Sequence, residues 1–268
     1  MPTPIGNLGD ISRRAAETLA AADFIAAEDT RVTVKLLNQL EIKKPMVTYH
    51  RHTSDTAGPA ILRRLEAGES CALVTDAGTP GISDPGEDLV ALCAASGVKV
   101  ESVPGPCALT VALSVSGLPT ARFAFEGFLP MNKKNRRARL DALAGEERTV
   151  IFYEAPHKLA DTLDDLAETF GPDRRIALCR ELTKLHEEVI RTTLGEAVSR
   201  CAGQEPRGEF VLVVAGRPPR TEAGDEDAAL ARTEELRRAG LPLKAAAAQA
   251  AEEFGVKKRA LYNRALQS

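Results

Sequence analysis

Asp76-Ala-Gly-Thr-Pro-Gly-Ile-Ser-Asp-Pro-Gly86 follows the most strand-like apolar run of the chain, residues 70–75, and precedes a helical run over residues 86–96. In an open α/β sheet, such a strand-to-helix loop lies at the carboxyl end of a strand, where ligands bind. Gly78 and Gly81 permit positive φ and close approach of the backbone to a ligand, and Asp76 offers a carboxylate to the crevice. The alternative for Asp76 is an Asx turn that stabilises the loop. Asp84-Pro-Gly-Glu87 reads as a helix start, with Asp84 at the N-cap and Pro85 at the first helical position.

Outward from this loop, strand-like runs at residues 23–27, 46–49, 70–75 and 98–103 alternate with helical runs at 11–21, 31–40, 60–67 and 86–96. That alternation predicts crossover units around a parallel sheet, hence an α/β domain over residues 1–119. After Pro119 the pattern changes, and strand candidates recur at 123–128, 149–153, 175–179, 188–193 and 209–215, which predicts a second α/β domain over residues 120–216. Residues 217–227 mix Pro, Gly and acids and read as a solvated linker. Residues 228–268 predict a helical tail of helix-turn-helix layout, its last helix opened by Lys257, Lys258 and Arg259. A recognition helix would meet a phosphate backbone there; the alternative is a packing bundle with a solvated basic rim.

Three more turns lead into helices. Pro104-Gly-Pro-Cys-Ala108 is stiffened by fixed φ angles, and Thr3-Pro-Ile-Gly-Asn-Leu-Gly9 precedes the first helix. Ala27-Glu-Asp-Thr-Arg31 gathers two carboxylates, a hydroxyl and a guanidinium; Asp29 or Thr30 suffices as a cap, and the rest is more than a cap needs.

Composition narrows the functions open to the chain. Lys plus Arg number 35 against 38 Asp plus Glu, a net charge of -3, so any contact with a polyanion must be local. The densest cationic cluster is Met131-Asn-Lys-Lys-Asn-Arg-Arg-Ala-Arg139, where Lys133, Lys134, Arg136 and Arg137 are candidate phosphate contacts, with a solvated helix face as the alternative. Five scattered cysteines without a CxxC pair argue against zinc and against a disulfide framework. No metal site is expected, and His50 and His52 read as surface residues. The GxGxxG and P-loop fingerprints are absent, and neither a secretory signal nor a membrane span is expected, which points to a cytoplasmic protein.

The stretches PTPIGNL, AAEDTR, TDAGTPGISDPG, VPGPCA, GFLP, FYEAPH, CRELTK and GEFVLVV, in this order, resemble the tetrapyrrole-methylase-like methyltransferases, in the branch that modifies small-subunit ribosomal RNA. The resemblance implies two α/β domains of tetrapyrrole methylase type with a cleft between them. It implies methyl transfer from S-adenosylmethionine to the ribose 2′-hydroxyl of a cytidine, on ribosomal RNA or an assembled small subunit, by a homodimer. Carried over motif by motif, it sets Asp76, Gly78, Thr79, Ile82, Cys107 and Ala108 at the cofactor, with Phe152, Tyr153, Glu154, Arg180 and Glu181 closing the adenosine side. Glu28 and Asp29 are then candidates for a base or orienting group, and Arg31 for a phosphate clamp. Family members carry an apolar strand before the PTPIGN turn, whereas this sequence opens Met1-Pro-Thr-Pro4, so a gap in the first sheet is expected. A small-molecule (porphyrinoid) methyltransferase and a ligand-sensing DNA-binding regulator are the other function classes; the first leaves the basic run and the tail idle, and the second leaves the AEDTR acids unexplained.

Overall fold

A computed structural model of the chain describes residues 1–204, 206–218 and 226–266. They fall into two compact units, Met1–Gly216 and Arg217–Ser268.

The first unit holds two sheets. In the N-terminal one, β1 (Phe24–Ala27) lies between β2 (Met46–Thr48) and β3 (Cys71–Val74), all parallel. All four β1 residues are buried. Phe24 and Ala26 join one core with Tyr49, Ile61, Leu89 and Cys93, while Ile25 and Ala27 join another with Leu19, Leu37, Ala72 and Val74. This is the burial on both faces that a crossover sheet imposes on its central strand. The crossovers are α2 (Thr30–Gln39) and α3 (Ser54–Glu66); α1 (Arg13–Ala21) precedes β1, α4 (Glu87–Ala95) follows β3, and α5 (Ala108–Val115) leads out of the sheet. Ser12 caps α1 by accepting from the Ala15 N–H, and Asp29 caps α2 by accepting from the Arg31 N–H.

The second sheet has the order β4-β5-β8-β6-β7, from β4 (Phe123–Phe128), β5 (Thr149–Glu154), β6 (Arg175–Arg180), β7 (Glu188–Thr193) and β8 (Phe210–Val214). Only β4 and β5 pair in parallel. One face packs Phe152, Leu178 and Leu212 against α6 (Lys133–Leu143), α7 (Leu159–Phe170) and α8 (Leu194–Cys201). The other turns Ile151, Ala177, Cys179 and Val213 toward Leu109, Ala112 and Leu113 of α5. The change of pattern near residue 120 therefore marks the passage from one sheet to the next inside one compact unit.

Two expectations for the first sheet change. Residues 98–103 form no strand, and Val100 is half exposed. The chain beside β3 is Met1–Thr3: the Met1 ammonium donates to the Leu73 carbonyl at 2.8 Å, and Thr3 and Gly78 exchange backbone bonds at 2.9 and 3.1 Å. The β3 edge is thus partly satisfied, but Pro2 and Pro4 have no N–H to extend a ladder toward residues 98–103. In addition, α4 begins at Glu87 with Gly86 as its N-cap at φ 144° and no side-chain cap, so Asp84 is not the cap its context suggests.

In the second unit, α9 (Glu226–Arg238), α10 (Leu243–Glu253) and α11 (Lys258–Ala265) enclose Leu236, Ala246, Ala250 and Leu261. Gly255, at φ 66°, makes the turn between α10 and α11. Most of the expected linker, residues 219–225, lies outside the described residues.

Candidate active site

The four turns singled out in the sequence meet. Thr3 bridges to Gly78; Thr79 donates its hydroxyl to the Pro106 carbonyl at 2.9 Å; and the Asp76 N–H donates to Glu28 Oε2 at 3.2 Å while Asp76 Oδ1 accepts from the Asp29 N–H at 3.1 Å. Gly78 and Gly81, at φ 86° and 80°, give the 76–86 loop its path.

Between these turns and the second sheet lies a pocket of about 480 Å³, lined mainly by apolar side chains. Gly78, Thr79, Ile82, Cys107, Ala108, Tyr153 and Glu154 line it. The N-terminus of α5 opens on it at Cys107 and Ala108, and the Leu109 N–H donates to the Tyr153 hydroxyl at 3.0 Å. Burial holds Tyr153 above the usual phenol range, so it acts as a neutral wall. Glu154 is buried and accepts from the Thr162 hydroxyl and the Ala155 N–H.

Other expected residues lie elsewhere. Phe152 belongs to the core on the far face, because β5 alternates sides between residues 152 and 153. Arg180 donates to the Arg207 carbonyl and pairs with Glu188, while Glu181 accepts from Lys184 and the Glu209 N–H; their neighbours Cys179 and Leu182 line the pocket instead. Asp76 stands outside the wall, which Ala77 and Gly78 supply.

The acids divide by environment. Asp29 is held at about 2 by the Arg31 guanidinium at 2.6 Å and by its capping bonds, so it is a poor proton acceptor, and Arg31 is spent on it. Asp84 lines the pocket, and burial, reinforced by the charges of Glu28 and Asp76, raises it to about 6. The capping motif around Asp84 hid this role; the signal that could have shown it was the spacing of two acids on one ligand loop. Ile5 and Leu182, also on the wall, were legible only as parts of the PTPIGNL and CRELTK stretches.

A second pocket, of about 520 Å³, shares Ser83 and Phe128 with the first and is completed by Glu28, His50, Arg51, His52, Pro85 and Glu126.

The basic run forms the N-terminal part of α6, capped by Asn132. Arg136 is not a surface cation: it is buried, with Nε 2.6 Å from Asp165 and a bond to the Thr162 hydroxyl at 2.9 Å. Arg137 pairs with Glu168 and Asp141, and Arg139 pairs with Glu126. Lys133 and Lys134 are exposed, as are Lys257, Lys258 and Arg259 at the start of α11. Among the described residues no His, Cys, Asp or Glu cluster is arranged to hold a metal, and no helix is long and apolar enough to cross a membrane.

Residues 2–198 match the family model of Tetrapyrrole (Corrin/Porphyrin) Methylases, and residues 223–268 match that of the RsmI C-terminal HTH domain. The chain is 47% identical to a Ribosomal RNA small subunit methyltransferase I of Synechocystis sp., over 99% of this chain and 95% of that one. It is 48% identical to its counterpart in Escherichia coli O157:H7, over 100% and 93%. The fold is similar to that of the methyltransferase CobJ, with TM-score 0.59 and 18% identity over 80% of this chain and 91% of the other. It is also similar to a Thermus thermophilus uroporphyrin-III C-methyltransferase complexed with S-adenosylhomocysteine, with TM-score 0.54 and 18% identity over 79% and 94%. By the match over most of its length and by its full-length relatives, the chain belongs to the tetrapyrrole methylase family and, within it, to the ribosomal RNA small subunit methyltransferase I group.

Proposed function

We propose that the protein methylates the 2′-hydroxyl of a cytidine in small-subunit ribosomal RNA, with S-adenosylmethionine held in the 480 Å³ pocket. Two things support the reading: the names of its full-length relatives, and one apolar pocket, built by four converging turns, with a single carboxylate of raised basicity on its wall. The second is the observation that carries the chemistry.

The residues present fit the cofactor. The volume suits a ligand of that size, and the wall is largely apolar with a few fixed polar groups. Gly78 and Thr79 would bring backbone close to it, Cys107 and Ala108 would present the α5 amides, and Ile82, Tyr153 and Leu182 would cover its apolar parts. Bound there, S-adenosylmethionine supplies a methyl group already activated on a sulfonium. The protein then has two tasks, to hold the acceptor hydroxyl in line and to take its proton. Positioning is the larger, and a carboxylate base adds roughly 10²-fold or more. Asp84 accepts the proton; burial keeps it basic, and the charges of Glu28 and Asp76 add to the effect.

Lys133 and Lys134 hold the RNA. Cations at a helix N-terminus oppose the helix dipole, an arrangement that a bound phosphate relieves. Lys257, Lys258 and Arg259 repeat it at α11. The substrate is the assembled small subunit or its RNA, and the enzyme works in the cytoplasm as a homodimer. Radiolabelled methyl incorporation measured in parallel on small subunits lacking the modification, naked ribosomal RNA, DNA and a porphyrinoid tests the reading. Incorporation into a ribose 2′-oxygen of the small-subunit RNA is expected; incorporation into the porphyrinoid or DNA alone overturns it.

A further inference from the structure

The second pocket adjoins the cofactor pocket, with Ser83 and Phe128 as the wall between them. It shares Ser83 with the first pocket, and Asp84 follows directly. Phe128 stands on the shared wall with more than half its surface exposed, unusual for a large apolar ring at the end of a sheet strand. The ring is fixed: it sits edge-on to Tyr153 with centroids 5.7 Å apart. A register shift between Phe125 and Gly127, with Gly127 at φ 62°, sets its position. A Cβ on Gly127 would fall 2.5 Å from Ser83 Oγ, so this glycine also lets the 76–86 loop close against β4.

The charges of this pocket are sorted. Glu126 is nearly buried and bonded twice to Arg139, at 2.6 and 2.7 Å, which neutralises it. Glu28 is anchored by the Asp76 N–H. Arg51 is exposed and has no ion pair among the described residues. It sits in a stiff turn: the His50 N–H donates to Thr53 Oγ1 at 3.0 Å, and the His52 N–H donates to His50 Nδ1 at 3.2 Å. A fixed open aromatic face and an exposed guanidinium beside the wall shared with the cofactor pocket complement one unstacked nucleotide, whose base offers a π-face and whose phosphate offers charge.

We propose that this second pocket seats the acceptor nucleotide of the RNA, Phe128 stacking on its base and Arg51 pairing with its phosphate, so that its ribose hydroxyl reaches Asp84 past Ser83. The inference rests on the RNA-methylating reading above. It assigns a task to His50 and His52 as well, which hold the turn that carries Arg51.

Docking of a whole ribosomal subunit depends on many contacts outside this pocket, whereas seating one nucleotide follows docking. Loss of the pocket therefore falls on kcat and leaves KM for the subunit nearly unchanged. The test uses the full chain, small subunits lacking the modification, and calorimetric titration of S-adenosylmethionine as a separate readout. Phe128→Leu and Arg51→Gln are each expected to lower kcat about tenfold, with cofactor affinity within twofold of wild type in Arg51→Gln, and Phe128→Trp is expected to recover most of the loss. Wild-type kcat in both Phe128→Leu and Arg51→Gln overturns the pocket assignment while leaving the methylation reading intact. Loss of cofactor affinity in Phe128→Leu with normal kcat in Arg51→Gln also overturns it, returning Phe128 to the cofactor wall. A wild-type protein that binds cofactor but methylates no subunit overturns the methylation reading itself.

Discussion

Glu28 and Asp76 tie two ligand loops together: the Asp76 N–H donates to the Glu28 carboxylate, while the Asp76 carboxylate holds the N–H of Asp29, the residue after Glu28. Two like charges are thereby kept near each other, at the carboxyl ends of adjacent parallel strands. Burial, with the charges of Glu28 and Asp76 added to it, raises Asp84, the third acid of the group, to about 6.

Asp76→Ala removes one acceptor from this link without touching the pocket wall. Affinity for S-adenosylmethionine is expected to fall about three- to tenfold, the worth of one partly exposed hydrogen bond, with the fold intact. Calorimetric titration with a thermal melt checks both parts. An unchanged dissociation constant means that the 76–86 loop keeps its path without the bond.

Asp84 carries a pH dependence whose sign follows from its raised value. Its ordinary 3.8 becomes about 6 in the fold, so the protein holds the neutral acid better than the carboxylate. Methyl transfer needs the carboxylate and should rise through about pH 6 to a plateau. Asp84→Asn should lower the plateau by roughly 10²-fold and remove that rise. In stability the effect runs the other way. The favourable burial of the neutral acid is complete below pH 3.8 and is lost as pH rises through 6. Asp84→Asn should therefore melt higher than wild type at pH 8 and no higher at pH 4, as melting curves at the two values would reveal.

Arg136 is a structural residue, and its substitution should report on folding rather than on RNA. Arg136→Met leaves Asp165 without its partner and Thr162 without a donor. Breaking a buried pair costs about 3–5 kcal/mol, and the partial exposure of Asp165 reduces that to about 2 kcal/mol here. Denaturant unfolding measures the loss; a midpoint equal to wild type would contradict the role.

Lys133→Ser with Lys134→Ser should do the reverse, leaving stability unchanged and flattening the salt dependence of RNA binding. Each lost phosphate contact lowers the log–log slope by roughly 0.7 to 0.9, according to whether the strand is single or paired. A salt titration of binding that keeps the wild-type slope would move the RNA path away from α6. Ser at Lys257, Lys258 and Arg259 should lower the slope in the same way while cofactor affinity stays the same.

The chain's own order of residues determined the alternating α/β pattern, the turns that carry the ligand loops and the helical tail, because periodicity and turn chemistry are local properties of a segment. It also determined that two of the motifs belong together, since AEDTR and TDAGTPGISDPG each mark a strand-to-helix junction, and such junctions converge at one edge of a parallel sheet. Only the tertiary structure decided what each charge does. Asp84 and Arg136 sit in contexts that read as a helix cap and a solvated basic face, yet one lines a pocket and the other is buried against Asp165. Phe152 and Tyr153 are adjacent in sequence and lie on opposite faces of one strand, so a single step separates core from pocket. The environment of a charge depends on residues tens of positions away, such as Thr162 for Arg136 and Glu28 for Asp84, and no local pattern carries that information. Residues 98–103 form no strand for the same reason: a strand exists only where a neighbour offers N–H and C=O groups to pair with, and the first sheet ends at β3.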